Sequence, residues 1–212
     1  MLRNSIIATC LVVCIAGLFS CQPKPVKLMV FSKTLGWRHA SITDGKAALL
    51  KMAAENNWQI DTTENADDFN EENLQQYSCI IFLSTTGNVL DFNQQAAFER
   101  YIQAGGGFVG IHAATDTEYD WPWYGGLVGG YFDGHPGDPN VRKGKAMVVN
   151  NEHISTMGMP EVWEREDEFY NFKSLNPHIN LLVTIDQNAY DYEENKQHPM
   201  AWYHEYDGGS SF

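Results

Sequence analysis

The stretch Gly105-Gly-Gly-Phe-Val-Gly-Ile-His-Ala-Ala-Thr-Asp-Thr117 decides the fold. Three glycines stop an amphipathic run that reaches Gln103, and Phe108, Val109 and Ile111 then read as a short apolar strand. His112 lands where that strand must turn. In an open α/β sheet ligands bind outside the carboxyl ends of the strands, so a histidine at a strand tip is placed for chemistry.

The same alternation runs upstream. Residues 26–31 (Val-Lys-Leu-Met-Val-Phe) predict a first strand after Pro25. Ser41 or Thr43 is a candidate helix cap, and Ile42, Ala47, Leu49, Leu50, Ala53 and Ala54 follow at helical spacing. Trp58 to Thr63 alternates as a second strand, an acidic surface stretch runs from Glu64 to Gln76, and Ser78 to Ser84 is a buried strand. Asp91 or Asn93 can cap a helix with Phe92, Ala96, Ala97, Tyr101 and Ile102 as its buried stripe. Strand–helix–strand–loop–strand–helix–strand predicts a doubly wound, parallel α/β domain.

Beyond Thr117 the order loosens. Strands are predicted at 145–149, at 180–185 and from Met200, with a charged-aromatic stretch from Trp163 to Tyr170. Asp207-Gly-Gly209 reads as a hairpin turn, and Phe212 falls where the returning strand should begin. The expectation is a domain whose C-terminal end is missing, leaving an unpaired sheet edge.

A length of 212 residues suits one domain, and 43% apolar with 13% aromatic residues suits a well-packed core. A net charge of −13 argues against nucleic acid as a partner and against binding to anionic lipid through a basic patch. Residues 1–20 read as a bacterial lipoprotein signal, with Arg3 before an apolar run that ends in Leu18-Phe19-Ser20. Cys21 would carry the lipid, residues 21–25 would be a linker, and 26–212 the domain. That places the protein in the cell envelope, lipid-anchored and facing the periplasm. Cys79 alone remains in the domain, so no disulfide is expected, and its apolar setting reads as burial.

His39, His112 and His135 occupy loops that should converge above the sheet. Imidazoles gathered with Asp116 or Asp133 could hold a divalent metal with an open position. Alternatively His112 is a general base whose ring Asp116 or Glu168 orients, or it only satisfies a tight turn. Arg38 could polarise a carbonyl. Trp37, Tyr119, Trp121, Trp123, Tyr124 and Tyr131, interleaved with Asp116, Glu118 and Asp120, suit the faces and hydroxyls of a neutral sugar or, equally, a loop-rich core. The acidic run from Glu161 to Glu168 contains Asp167 and Glu168 and otherwise reads as a solvated face.

Four motifs together resemble the trehalose-utilisation (ThuA-like) family: Gly36-Trp-Arg-His-Ala-Ser-Ile42, the run from Gly105 to Asp116, Trp121-Pro-Trp-Tyr124 with Gly134-His-Pro136, and Glu166-Asp-Glu-Phe-Tyr170 with His198-Pro-Met-Ala-Trp202. The resemblance implies a flavodoxin-like, class I glutamine amidotransferase-like three-layer sandwich around a mostly parallel sheet. The amidotransferase elbow carries a cysteine, and here the matching position is His112, so cysteine glutaminase chemistry is not expected. The family's Gly-Arg before the final strand is Gly209-Ser210 here, and its glycine- and histidine-containing turn beyond that strand has no counterpart. The implied substrate is trehalose or a keto-disaccharide, with His112 as base, His39 and Arg38 polarising and Asp116 orienting. Trp37, Glu118, Tyr119, Trp121, Trp123, Asp167 and Glu168 would contact the sugar. The alternatives are a non-catalytic sugar-binding or scaffolding module and a metal-dependent hydrolase using His39, His112 and His135. No dinucleotide fingerprint is present, since the glycines precede a strand instead of opening a helix. A homodimer stays open as a partner.

Overall fold

A computed structural model describes residues 25–186 and 198–212 of the chain. The expected signal segment, Cys21 and nearly all of the linker lie outside the described residues. No helix among the described residues is long and apolar enough to cross a membrane.

Four short strands, β1 (Lys27–Phe31), β2 (Gln59–Thr63), β3 (Cys79–Leu83) and β4 (Gly107–Ile111), pair in parallel in the order β2-β1-β3-β4. Their side chains alternate between two cores, as a period of two requires. Met29, Phe31, Ile80, Phe82 and Phe108 face one layer, where α3 (Phe92–Gln103) supplies Phe98, Tyr101 and Ile102 and α4 (Pro122–Val128) supplies Tyr124 and Leu127. The preceding α2 (Glu71–Leu74) adds Leu74 there. Leu28, Val30, Ile81 and Leu83 face the other layer, where α1 (Ser41–Asn56) packs Ile42 and Leu49. Phe82 lies at the centre of the first core, 5.5 Å from Phe98 and 5.4 Å from Phe108 between ring centroids.

The helix boundaries have local causes. Asp91 makes a full capping box with Gln94 at the start of α3. Gly105 ends that helix at φ +91°, a backbone that an L side chain resists. The α1 expectation is corrected: its N-cap is Ala40 with no side-chain cap, because the helix starts directly behind His39. Phe92 is corrected too, being 82% exposed. At about 100° per residue it points about 120° away from Phe98, off the packed stripe. Ala47, Leu50 and Ala54 of α1 likewise face solvent.

The second half is antiparallel. It comprises β6 (Arg142–Val148), β7 (Val162–Asp167), β9 (Asn180–Ile185) and β10 (Pro199–Tyr206) in the order β10-β9-β6-β7, while β5 (Tyr131–Phe132) and β8 (Phe172–Lys173) pair apart from the large sheet. A three-residue strand, β11 (Gly209–Ser211), joins the halves, antiparallel to β10 and parallel to β4. The returning strand expected to be missing is therefore present. It fills the middle of a nine-stranded sheet, so no unpaired edge arises there. The molecule is an α/β sandwich, mostly parallel at its core, of flavodoxin-like type.

Candidate functional site

The site lies where the loops after β1 and β4 meet the chain leaving β7. His39 lies at the end of the loop after β1, next to Ala40, the N-cap of α1. His112 follows β4 and takes φ +54°, a strained left-handed backbone for a residue other than glycine. This is the elbow the sequence pointed to, and it turns the imidazole off the strand tip. Ser84, at the tip of β3, is left-handed as well (φ +49°).

Glu168 comes in from β7 and becomes the hub. Its Oε2 lies 3.3 Å from His112 Nε2 and 3.7 Å from His39 Nε2, and its Oε1 lies 3.4 Å from His135 Nε2. The Asn140 amide donates to the same Oε1 at 2.5 Å. The two imidazoles of His39 and His112 stand edge to face with centroids 4.6 Å apart. Tyr170 closes the cluster, its ring stacked on His112 at 4.3 Å and its hydroxyl 3.2 Å from His39 Nε2. Behind it, His198 Nε2 meets the Tyr170 carbonyl at 2.6 Å and fixes the backbone.

Burial sets the protonation of these groups. It pushes His112 below the ordinary imidazole value, and the neighbouring His39 adds to that shift. His39 is also lowered by burial, against the pull of Glu168. Burial raises the Glu168 carboxyl, but the Asn140 amide and the surrounding imidazoles outweigh it, and the net direction is down. Burial and the Glu168 charge hold the Tyr170 phenol well above its usual value. These directions favour the ionised Glu168 carboxylate and the neutral forms of the Tyr170 phenol and of the His39 and His112 rings.

A cavity of about 690 Å³ opens from this cluster over the sheet face beside α1, lined by His112, Glu168, Tyr170, Asp167, Trp163 and Arg165 among others. Arg165 pairs with Asp167, and its guanidinium stacks on Trp163 at 4.4 Å.

The sequence-selected residues divide accordingly. His39, His112, His135 and Glu168 come together, and Asp167 lines the same cavity. Arg38 does not join them: its guanidinium makes a two-pronged pair with Glu64 at 3.0 and 2.8 Å, so its fork is already taken. Asp116 accepts from the Tyr119 hydroxyl at 2.6 Å, and the carboxylate beside His112 is Glu168 instead. Asp133 pairs with Lys173 at 3.5 Å. Glu118 is buried, raised above the usual carboxyl value by that burial, and accepts from the Leu90 amide and Gln95. Trp121, buried in the α3–α4 core, and Trp123, half-buried against it, stack at 5.1 Å, and their indoles donate to Glu99 and Asp207. Trp37 is 74% exposed, and neither it nor Tyr119 lines the cavity. The aromatic lining comes instead from Trp163, Phe169, Tyr170, Phe172, Trp202 and Phe212. Sequence reasoning gave Tyr170, Arg165, Trp163 and Asn140 no role. Tyr170 sits in a quoted motif, while Asn140 lies in a loop with no signal.

Solved structures resemble this fold. A ThuA-like protein from Bacteroides uniformis superposes with a TM-score of 0.74 at 22% identity, over 90% of this chain and 82% of its own. A ThuA-like protein from Parabacteroides merdae gives 0.69 at 16% identity, over 89% and 78%. A cytoplasmic protein from Salmonella typhimurium gives 0.56 at 14% identity, over 88% and 87%. No curated protein sequence matches the chain. The sequence profile of the ThuA family, described as trehalose utilisation, matches residues 27–212, and the chain belongs to that family.

Proposed function

We propose that the protein is an enzyme of carbohydrate utilisation that performs acid–base chemistry on a keto-disaccharide of the trehalose class. The observation that carries this reading is the Glu168 carboxylate, which lines the cavity with His112 and faces both the His112 and the His39 imidazoles. A hydrogen on the carbon beside a carbonyl is acidic enough for a positioned carboxylate or imidazole to remove, and such a group contributes about 10²–10⁴-fold. Glu168 and His112 are the proton acceptors. The Tyr170 hydroxyl beside His39 is the donor to oxygen. The cavity volume falls in the range of about 300–1,000 Å³ usual for small-molecule sites. Trp163 offers an aromatic face to a sugar ring, and the Arg165–Asp167 pair offers partners for hydroxyls.

The test is incubation of the purified protein with trehalose and with its keto derivative, followed by NMR of the sugar. Conversion of the keto-sugar by the native protein, lost in Glu168→Gln and His112→Ala, supports the reading. Conversion that survives both substitutions would refute it. No conversion together with saturable sugar binding would favour a binding module instead.

A further inference from the structure

The contacts around Glu168 are too long for the hydrogen bonds they resemble. Charge-assisted N–H···O⁻ bonds close to about 2.7–2.9 Å. Here the His112 and His39 nitrogens stand off the same oxygen at 3.3 and 3.7 Å. Two neutral rings in the Nε2–H tautomer could both point a donor at that oxygen, but at these distances neither bond closes to the usual length. Protonating both rings would put two cations edge to face at 4.6 Å in a half-buried site. The Tyr170 hydroxyl at 3.2 Å is an alternative partner for His39 Nε2, and protons alone leave the contacts to Glu168 long.

The His112–Glu168 spacing of 3.3 Å is that of neighbouring ligands around an ion, and the His39–Glu168 spacing of 3.7 Å lies just beyond it. Donors about 2.0–2.2 Å from a four-coordinate ion lie about 3.3–3.6 Å from one another. His39, His112 and Glu168 each present one donor atom, and all three atoms lie within 4.8 Å of one another. The geometry points to a divalent transition-metal centre held by His39 Nε2, His112 Nε2 and the Glu168 carboxylate. Two imidazoles and one carboxylate leave positions open, as a catalytic ion requires, and the set suits Zn²⁺, Fe²⁺, Co²⁺ or Mn²⁺ over Ca²⁺ or Mg²⁺. His135, expected as a ligand, falls outside the mutual triad. Its Nε2 faces the other carboxylate oxygen, and its Nδ1 lies 2.9 Å from the Pro136 carbonyl, which orients Glu168 from outside together with Asn140. The Tyr170 hydroxyl lies beside the His39 ligand atom, within reach of whatever the ion binds.

This inference rests on reading the cluster as the active centre, and with an ion bound it turns His112 and Glu168 from proton acceptors into ligands. The ion would supply an activated water or polarise the sugar carbonyl, leaving Tyr170 to exchange the proton. The test is titration of chelator-treated full-length protein with Zn²⁺ and Co²⁺, by calorimetry and by the visible absorption of bound Co²⁺. One equivalent is expected in the native protein, with stoichiometric binding lost in His39→Ala, His112→Ala and Glu168→Gln. The exposed-histidine control His178→Ala should be unchanged. His135→Ala should bind about 10–100-fold more weakly, as an outer partner does. Circular dichroism checks that each variant is folded. Absence of stoichiometric binding to the folded native protein, or binding that survives all three triad substitutions, overturns the proposal. Turnover by metal-free protein that depends on Glu168 would reject the ion and keep the acid–base reading. A bound ion without sugar turnover would keep the ion and reject the enzyme.

Discussion

The two halves of the sheet contribute unequally to fold and to site. The parallel half, β1 to β4 with α1 and α3, buries Phe31, Phe82, Phe98 and Phe108 almost completely and presents His39 and His112 on loops that its strands fix. The antiparallel half, β6, β7, β9 and β10, has smaller core clusters around Ala146, Leu182 and Phe169. Yet it delivers Glu168 and Tyr170, without which the histidines face nothing. Stability concentrates in one half, and the charge the chemistry needs comes from the other.

The strongest way to break that division is Glu168→Gln. It should lower kcat/KM on a keto-disaccharide by about 10²–10⁴-fold while leaving the thermal midpoint close to native, because the side chain lines a cavity and is not packed in a core cluster. A stability loss as large as a core truncation would make Glu168 part of the scaffold instead. The complementary substitution is Phe82→Ala, which should cost about 3–5 kcal/mol in denaturant unfolding, as truncating a fully buried aromatic does. A cost near zero there would remove the parallel half as the stability centre.

Much of the parallel half was legible in the sequence because β1, β3 and β4 are local apolar runs bounded by polar or glycine residues, and β2 alternates. Asp91 and Gly105 mark the ends of α3 in the same local way. The antiparallel half hides its logic in pairing. β11 has three residues, Gly209–Ser211, and no propensity signal; it is a strand because β4 and β10 lie on either side of it. Glu168 sits in an acidic run that resembles a solvated face, and only the β6–β7 register brings its end of the run to the histidines. The tryptophans failed for a different reason. An indole can cover a core or stack on a sugar, and composition does not separate Trp121, which is buried, from Trp163, which lines the cavity.

Smaller effects sharpen the comparison. Asp91→Ala removes the capping box of α3 and should cost about 1 kcal/mol without changing turnover. Arg38→Ala tests whether that arginine belongs to the scaffold. The Arg38 and Lys46 partners hold the Glu64 carboxyl down at about 2. A depressed folded pKa contributes stability above the unfolded carboxyl value that fades as pH falls toward the folded one. The variant should therefore move the Glu64 titration upward by NMR and shift acid unfolding to higher pH, with turnover at neutral pH retained. Loss of turnover would return Arg38 to the site.

The most direct test of the central claim is solvent exchange. The keto-disaccharide is held in D₂O with native protein or with Glu168→Gln, and the proton on the carbon beside the carbonyl is followed by NMR. Acid–base chemistry at the Glu168 cluster gives deuterium incorporation well above the uncatalysed background with native protein and none above it with the variant. Equal exchange in the two, or none in either while the sugar binds, would contradict it.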